Sequence, residues 1–239
     1  MSTLDGGVVL VTGANGGLGT KFVKQAIERG AQKVYATARS PRQWDDSRIV
    51  PLALDITDPA SVADIARAAG DVTVLVNNAG ISPRDAGLLT ASDDELHQIF
   101  ETNFFGQVRM IRAFADILAA APGRAAVIDL HSAFSWHAGG GSYSATKAAF
   151  WSATNSVRLD LTPRGIHVVG VHVGYVDTPM AAGAAGPKAD PADVVSQAYD
   201  ALDNGTFEVL VDGVSKRAKA GLAAPIEQMY PQLAAAARG

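Results

Sequence analysis

The chain has 239 residues, 48% of them hydrophobic and 18% charged, which is ample for one large core and short for two. Its net charge is −4 and its basic residues are scattered, which excludes the basic surface that binds nucleic acid or anionic lipid and favours a small-molecule partner. Cysteine is absent, so disulfides and thiolate metal sites are excluded, and we expect a cytoplasmic protein.

The first motif is a glycine-rich turn. Val8 to Val11 is an apolar, β-branched run typical of a strand, and apolar residues from Phe22 to Ile27 recur at helical spacing. A glycine-rich turn alone is often only a turn. Between a strand and a helix, however, glycines let backbone amides approach a ligand, and the helix N-terminus suits a diphosphate. The expected cofactor-binding residues of this turn are Gly13, Asn15, Gly16, Gly17, Leu18 and Gly19.

The second predicted strand, Val34 to Ala38, indicates which dinucleotide is bound. Folds of this kind place an acid at the end of this strand when the ribose carries a free 2′-hydroxyl. This chain has no acid there. It has instead the hydroxyls of Thr37 and Ser40 and the guanidinium of Arg39, and these groups suit a 2′-phosphate. We therefore predict NADP(H) rather than NAD(H). The alternative is that Arg39 is an ordinary solvated loop residue.

Two further strands end in polar residues. Ile49 to Leu54 leads to Asp55, which is either a partner for adenine or a turn residue. Val72 to Val76 is wholly apolar, as a buried parallel strand should be, and ends in two asparagines, Ala79 and Gly80. Ligands of open α/β sheets lie beyond the carboxyl ends of the strands, so we expect Asn77, Ala79 and Gly80 at the site.

A capping box at Ser92 to Glu95 predicts the start of a long helix with apolar residues on one side through Leu118. Asn103 interrupts this helix. Its amide is either a structural hydrogen-bonding group or part of a water relay, and the residues alone favour the structural role.

The fifth predicted strand, Ala125 to Leu130, leads to Ser132 at the same edge of the sheet. Tyr143 and Lys147 lie one turn apart on a helix predicted within Gly139 to Leu161. A buried ammonium near the tyrosine would lower its pKa from about 10 and make it a proton donor or acceptor near neutrality. Ser132 could then donate to the oxygen that the tyrosine protonates. Each of these residues alone is more often a turn or surface residue.

The rest of the chain completes the pattern. Gly165 to Val173 and Phe207 to Val211 predict two more strands, separated by a small-residue loop and a helix from Asp190. Six to seven strands separated by helices predict an α/β, doubly wound parallel sheet of the Rossmann type, in three layers and one domain over 1–239. No export signal or membrane span is expected, and no metal site, because His131 and His137 lack partners at ligand spacing.

Taken together, these motifs resemble the short-chain dehydrogenase/reductase family over essentially the whole chain. Thr12 to Gly19 is similar to its cofactor turn, Asn77 to Gly80 to its asparagine motif, and Gly174 to Thr178 to its nicotinamide-covering segment. The resemblance implies a catalytic tetrad of Asn103, Ser132, Tyr143 and Lys147. It also implies cofactor contacts from Ile56, Tyr143, Lys147, Gly174, Val176 and Thr178.

The family chemistry implied is hydride transfer between nicotinamide and a carbonyl carbon, with Tyr143 transferring the proton. Ser132 would orient the carbonyl oxygen, Lys147 would bind the ribose and lower the tyrosine pKa, and Asn103 would hold a water. Three features depart from the family. Val173 replaces the usual proline, the Ser132–Tyr143 spacing is two residues shorter, and the tail lacks the glycine-rich ending of tetrameric members. A homo-oligomer, dimer or tetramer, is nevertheless expected.

The expected substrate side is apolar. We predict a pocket for ketones with an aryl or bulky alkyl group, bordered by a substrate loop at about 175–190. Two alternatives remain, an NAD-dependent alcohol dehydrogenase of the same family and a non-catalytic NADP-sensing scaffold. The predicted pocket residues are Ser132, Phe134, Trp136, Tyr143, Tyr175 and Met180.

Overall fold

The computed structural model describes residues 3–82 and 87–236, so the expected domain limits, 1 and 239, lie outside it. Seven strands of the described chain form one parallel sheet in the order β3-β2-β1-β4-β5-β6-β7. Most of its strands are runs of Val, Ile, Leu and Ala because both faces of a parallel sheet are covered. The strands are β1 (Val8–Thr12), β2 (Lys33–Ala38), β3 (Ile49–Ala53), β4 (Val74–Asn77), β5 (Ala125–Leu130), β6 (Ile166–His172) and β7 (Glu208–Leu210).

Helices connect the strands, and several begin at the residues that the sequence indicated. The Asp58 carboxylate accepts from the Ala60 amide, and Ser92 and Glu95 form the predicted capping box. The helices of the described chain are α1 (Gly17–Glu28), α2 (Pro59–Ala68), α3 (Asp93–Phe100), α4 (Gly106–Ala120), α5 (Ser142–Leu161), α6 (Pro191–Asn204), α7 (Gly213–Ala220), α8 (Ile226–Met229) and α9 (Pro231–Ala236).

The helices cover both faces of the sheet. On one face, Phe22 of α1 and Tyr199 of α6 are fully buried and meet edge to face, with ring centroids 5.4 Å apart. On the other face, Phe114 of α4 and Phe150 of α5 pack against Leu75 and Val127. The predicted three-layer, doubly wound parallel fold is therefore confirmed.

The strand order places the site. From β1 the chain builds outward through β2 and β3, then returns to place β4 on the other side of β1. The chain therefore continues in opposite directions along the sheet after β1 and after β4, and the carboxyl edge at such a point is the usual ligand position in a Rossmann fold. Among residues 3–82 and 87–236, no helix is long and apolar enough to cross a bilayer.

The long helix expected from Ser92 is interrupted, as Asn103 suggested. Residues Glu101–Phe105 form a π-helical turn between α3 and α4. Helix α4 starts at Gly106, where a Cβ would meet side-chain and backbone atoms of Ile56 at 2.9–3.0 Å. Such π turns commonly mark functional positions in helices, and this one carries Asn103.

Candidate active site

A cleft of about 760 Å³ lies at the carboxyl edge of the sheet. The loops after β1 through β6 contribute to its wall, so most of the residues singled out from the sequence meet in one place. One end is built largely from glycine and backbone atoms, and the other from aromatic and small apolar side chains. We describe the first as the cofactor end and the second as the substrate end.

The glycine turn after β1 forms a close-fitting cradle. Gly13 has φ +67°, a conformation that favours glycine, and its carbonyl accepts from the Gly16 amide at 3.1 Å. Helix α1 starts at Gly17, and its N-cap, Gly16, has no side chain to satisfy the first amides. Because such free amides and the helix dipole favour negative charge, this cradle fits the diphosphate of a dinucleotide.

Asn78 fastens the loop after β4 to the glycine turn. Its Nδ2 donates to the carbonyls of Thr12 at 2.8 Å and Gly13 at 3.2 Å. In return, the Thr12 hydroxyl accepts from the amides of Asn78 and Ala79 at 2.9 and 3.0 Å. Ala79 and Gly80 line the cleft as predicted, but Asn77 does not. The Asn77 side chain is buried and donates to Asp129 at 2.9 Å, so its expected contact with the cofactor was wrong.

The end of β2 presents two of its three expected residues to the cleft. Arg39 and Ser40 line it, and Asn15 donates to the Ser40 carbonyl at 2.8 Å, which joins this loop to the glycine turn. Thr37 is fully buried and donates to the Val11 carbonyl at 3.0 Å. Its predicted cofactor contact was wrong because its side chain points toward β1 rather than into the cleft.

Asp55 and Ile56 line the cleft beyond β3. The carboxylate of Asp55 accepts from the hydroxyl and the amide of Thr57 at 2.7 and 2.9 Å. These hydrogen bonds, together with nearby Arg39, hold the Asp55 pKa below its ordinary value. Asp55 is thus the turn residue that the sequence allowed for, and it also places a carboxylate at the cofactor end.

Tyr143, Lys147 and Ser132 come together in the middle of the cleft. The Tyr143 hydroxyl is hydrogen-bonded to Ser132. The Lys147 ammonium is buried, donates to the Leu130 carbonyl at 2.8 Å, and lies 5.7 Å from the centroid of the Tyr143 ring. The loop after β5 and helix α5 therefore bring two hydroxyl groups and a buried ammonium to one place.

The pKa values differ from expectation. Burial raises the pKa of Tyr143 to about 12, although the Ser132 hydrogen bond opposes this shift. Burial also lowers the pKa of Lys147 to about 8, partly offset by Asp129. The expected lowering of the tyrosine pKa by Lys147 was wrong for this arrangement, because burial dominates the Tyr143 pKa and the ammonium lies over the ring, 5.7 Å from its centroid. A tyrosine with this pKa remains protonated at neutral pH.

Asn103 acts on the backbone. It is fully buried, accepts from the Ile81 amide at 2.9 Å and donates to the Ile81 carbonyl at 2.9 Å. It also donates to the Thr146 hydroxyl at 3.2 Å. Asn103 does not line the cleft, and it ties the loop after β4 to the turn of α5 that carries Lys147. The structural role, favoured by the residue alone, is the one that these contacts support.

The substrate end is aromatic. Phe134, Tyr175 and Met180 line it, and the Phe134 ring stands edge to face with those of Tyr143 and Tyr175, at 6.1 and 6.2 Å between centroids. Trp136 was wrongly expected here. It is 4% exposed and stacks on His172 at 4.0 Å, inside the protein.

The segment after β6 forms part of the cleft wall. Gly174, Val176 and Thr178 line the wall as expected. A bridge between Val176 and Ala189 pins both ends of the predicted loop, with the Ala189 amide donating to the Tyr175 carbonyl at 2.8 Å. Thr178 reaches back to the glycine turn, where a Cβ on Gly17 would lie 2.5 Å from its Cγ2.

Comparison with known proteins identifies the family. The model of the family described as short chain dehydrogenase matches residues 7–188. The chain belongs to this family. Its similarity to 1-deoxy-11-beta-hydroxypentalenate dehydrogenase of Streptomyces avermitilis is 32% identity over 209 residues, covering 81% of this chain and 77% of that protein.

Two further short-chain dehydrogenase relatives are informative. NADPH-dependent 1-acyldihydroxyacetone phosphate reductase of Schizosaccharomyces pombe is 32% identical over 181 residues, covering 71% of this chain but only 60% of that protein. The crystal structure of a short chain dehydrogenase from Burkholderia cenocepacia in complex with NADP is 35% identical, with a TM-score of 0.89, covering 98% of this chain and 99% of that one.

Membership of the short-chain dehydrogenase family makes the protein an oxidoreductase that uses a nicotinamide cofactor and acts on hydroxyl or carbonyl groups. The residues fit such a cofactor on structural grounds alone. The free amides at the start of α1 suit a diphosphate, and the close-packed glycines let the protein backbone approach it. The buried Lys147 ammonium suits the hydroxyls of a ribose.

Asp129 was missed by the sequence reasoning. It is fully buried on β5, accepting from Asn77 at 2.9 Å and from the Thr154 hydroxyl at 2.7 Å. Burial raises its pKa to about 6, while these hydrogen bonds and the charges of Arg158 and Lys147 oppose the shift. A single carboxylate inside an otherwise apolar strand was the available signal, since such a group is rarely buried without partners.

Proposed function

We propose that this protein is an NADPH-dependent carbonyl reductase that converts ketones or aldehydes with apolar, bulky or aryl groups into alcohols. The observation that carries the proposal is the Ser132–Tyr143 hydroxyl pair beside the buried Lys147 ammonium, between a glycine cradle and an aromatic wall. This arrangement offers a carbonyl oxygen two hydroxyl groups at one place.

NADP(H) is supported by the end of β2. Arg39 and Ser40 line the cleft there, and the position that would hold an acid for a free ribose 2′-hydroxyl is Ala38. An arginine pairs well with a phosphate. The Burkholderia cenocepacia relative was solved with NADP, and the S. pombe relative is named as NADPH-dependent, which agrees with this choice.

The bound cofactor would supply the hydride. Ser132 would donate a hydrogen bond to the carbonyl oxygen and hold it beside Tyr143. Tyr143 would then give its proton to that oxygen as negative charge develops, and its pKa of about 12 keeps the proton in place at neutral pH. Lys147 would bind the ribose hydroxyls, while Asn103 keeps the loop after β4 and helix α5 in register.

The substrate class follows from the wall that would surround it. Phe134, Tyr175 and Met180 are apolar or aromatic. Among residues 3–82 and 87–236, the Lys and Arg side chains that line the cleft are Lys147 in its middle and Arg39 at its cofactor end. Within this described part of the chain, a substrate with its own phosphate or carboxylate would meet neither a lysine nor an arginine at the substrate end. A neutral carbonyl compound with an apolar group fits better.

The test is NADPH consumption with a panel of neutral aryl ketones, alkyl ketones and aldehydes. Tyr143→Phe, which keeps the ring but removes the proton, should lower kcat by about 10²–10⁴-fold and leave NADPH binding intact. Tyr175→Phe is the matched control, because Tyr175 lines the same cleft. Full activity of Tyr143→Phe, or turnover of charged sugars and hydroxy acids alone, would contradict the proposal.

A further inference from the structure

The segment after β7 contacts two loops that border the substrate end of the cleft, although it lies beyond residues 7–188 that match the family. The Asp212 carboxylate accepts from the Gly174 amide at 2.7 Å. The Tyr230 hydroxyl accepts from the Ala138 amide at 3.0 Å. The C-terminal segment therefore holds both loops that border the substrate end, the loop after β5 and the segment after β6.

Tyr230 continues into a row of rings that leads to the cleft. Its ring packs on His137, with centroids 5.1 Å apart, and His137 lies 6.5 Å from Phe134. The His137 Nδ1 accepts from the Gly139 amide at 3.1 Å, which fixes the imidazole against its own loop. Phe134 in turn faces Tyr143 and the cleft.

Phe134 is held from behind by glycine backbone. A Cβ on Gly139 would lie 3.2 Å from Phe134 Cε1, and one on Gly140 would lie 3.4 Å from its Cγ. The ring thus lies against the 137–141 loop, and its position in the cleft depends on where that loop sits. A displacement of the loop would change the wall that an apolar substrate group meets.

We propose that Tyr230 is a positioning residue for substrate selectivity, which fixes the 137–141 loop so that Phe134 forms the wall for an aryl or bulky alkyl group of the ketone. The inference rests on the proposed carbonyl reductase function. The side-chain contacts of Tyr230 are with His137 and Ala138, and none of these three residues lines the cleft. Tyr230 therefore acts on the cleft through Phe134, which lies at the substrate end.

The experiment compares acetophenone with butanone as substrates, using NADPH and the full-length protein. Tyr230→Ala should raise KM for acetophenone about fivefold, equivalent to about 1 kcal/mol, with kcat, the KM for butanone and the Kd for NADPH unchanged. Tyr230→Phe keeps the ring on His137 and removes only the acceptor for Ala138, so a smaller rise is expected. Gln228→Ala, at an exposed position of the same segment, is the control.

A double-mutant cycle tests the route. Once Phe134 is replaced by Ala, Tyr230→Ala should have no further effect on KM for acetophenone, because the wall that it positions is gone. Additive effects would overturn the inference, as would equal KM changes for both ketones or a Tyr230→Ala variant that matches Gln228→Ala.

The failure of the proposed function gives a different result. If none of the carbonyl compounds tested supports NADPH consumption by the wild type, the proposed function fails and this inference fails with it. Titration with NADPH shows whether each variant is folded, because a misfolded variant does not bind the cofactor. If Tyr230→Ala is misfolded, the KM values of Tyr230→Phe test the inference in its place.

Discussion

Gly19 and Gly16 offer a matched pair for testing whether the glycine cradle binds the cofactor as a fixed shape. A Cβ on Gly19 would overlap the Gly13 carbonyl oxygen and lie 2.9 Å from both Ala14 Cα and Asn78 Nδ2. A Cβ on Gly16 would find its nearest neighbour, the same oxygen, at 3.4 Å, an ordinary contact. The same added methyl group should therefore be damaging at Gly19 and nearly neutral at Gly16.

The size of the effect follows from the atoms that must move. Ordinary contact begins at 3.4 Å, so in Gly19→Ala the Ala14 backbone must shift by at least about 0.5 Å. The Gly13 carbonyl cannot yield freely, because it accepts from Asn78 and from the Gly16 amide. Overpacking of this kind costs about 1–3 kcal/mol, of which the helix preference of Ala over Gly returns up to about 1 kcal/mol.

We expect Gly19→Ala to lower Tm by roughly 2–8 °C and to weaken NADPH binding by about 10–100-fold, since displaced amides no longer meet the diphosphate. Gly16→Ala should stay within about 1 °C and threefold of the wild type. Thermal melts without cofactor and fluorescence titrations with NADPH measure the two effects. Equal behaviour of the two variants would refute the reasoning, because it would mean that the cradle adjusts around a side chain.

Three further predictions concern charge. Arg39→Ala should weaken NADP binding about 10–100-fold and leave NAD binding unchanged in equilibrium titrations; Arg42→Ala is the control, because Arg42 stacks on Trp44 at 4.1 Å, and equal losses for both cofactors would contradict the role of Arg39. Because the pKa of Lys147 is lowered to about 8, NADPH affinity should fall as pH rises through that value, and Tyr143→Phe should keep this dependence; a dependence that disappears would assign it to the tyrosine. The pKa of Asp129 is raised from 3.8 to about 6, so the stability it contributes below pH 3.8 is lost as pH rises through about 6; chemical denaturation should show a smaller loss over this range for Asp129→Asn, and equal losses would count against the assignment.

The fold was predictable because its signals are local. Buried parallel strands such as Val8–Thr12 and Ala125–Leu130 are near-continuous apolar runs, and helix starts such as those at Asp58 and Ser92 carry their own capping groups. The π-helical turn at Glu101–Phe105 was less accessible, because it depends on contacts between Asn103 and Ile81 that are distant in sequence.

The site was predictable as to place and only partly as to direction. Sequence shows where a strand ends, so Ser132, Arg39 and Gly80 were placed correctly at the cleft. It does not show which way a side chain near that end points, since a strand alternates its faces. Thr37 and Asn77 were misplaced for this reason. The prediction of a lowered Tyr143 pKa failed because the balance between burial and charge depends on interatomic distances, which the spacing of residues in the sequence does not give.

Asn78 and Thr12 are joined by two hydrogen bonds, and this makes the cofactor end of the cleft less tolerant of substitutions than the substrate end. Where the dinucleotide would bind, the wall is mostly main chain, already joined into one piece before any ligand arrives, so few substitutions can adjust it without spoiling it. At the substrate end, the wall is made of side chains such as Phe134, whose ring packs near His137 of the 137–141 loop. That loop is hydrogen-bonded to Tyr230 of the C-terminal segment. An engineer who wants new substrates can therefore vary the aromatic side while leaving the machinery that uses the coenzyme intact.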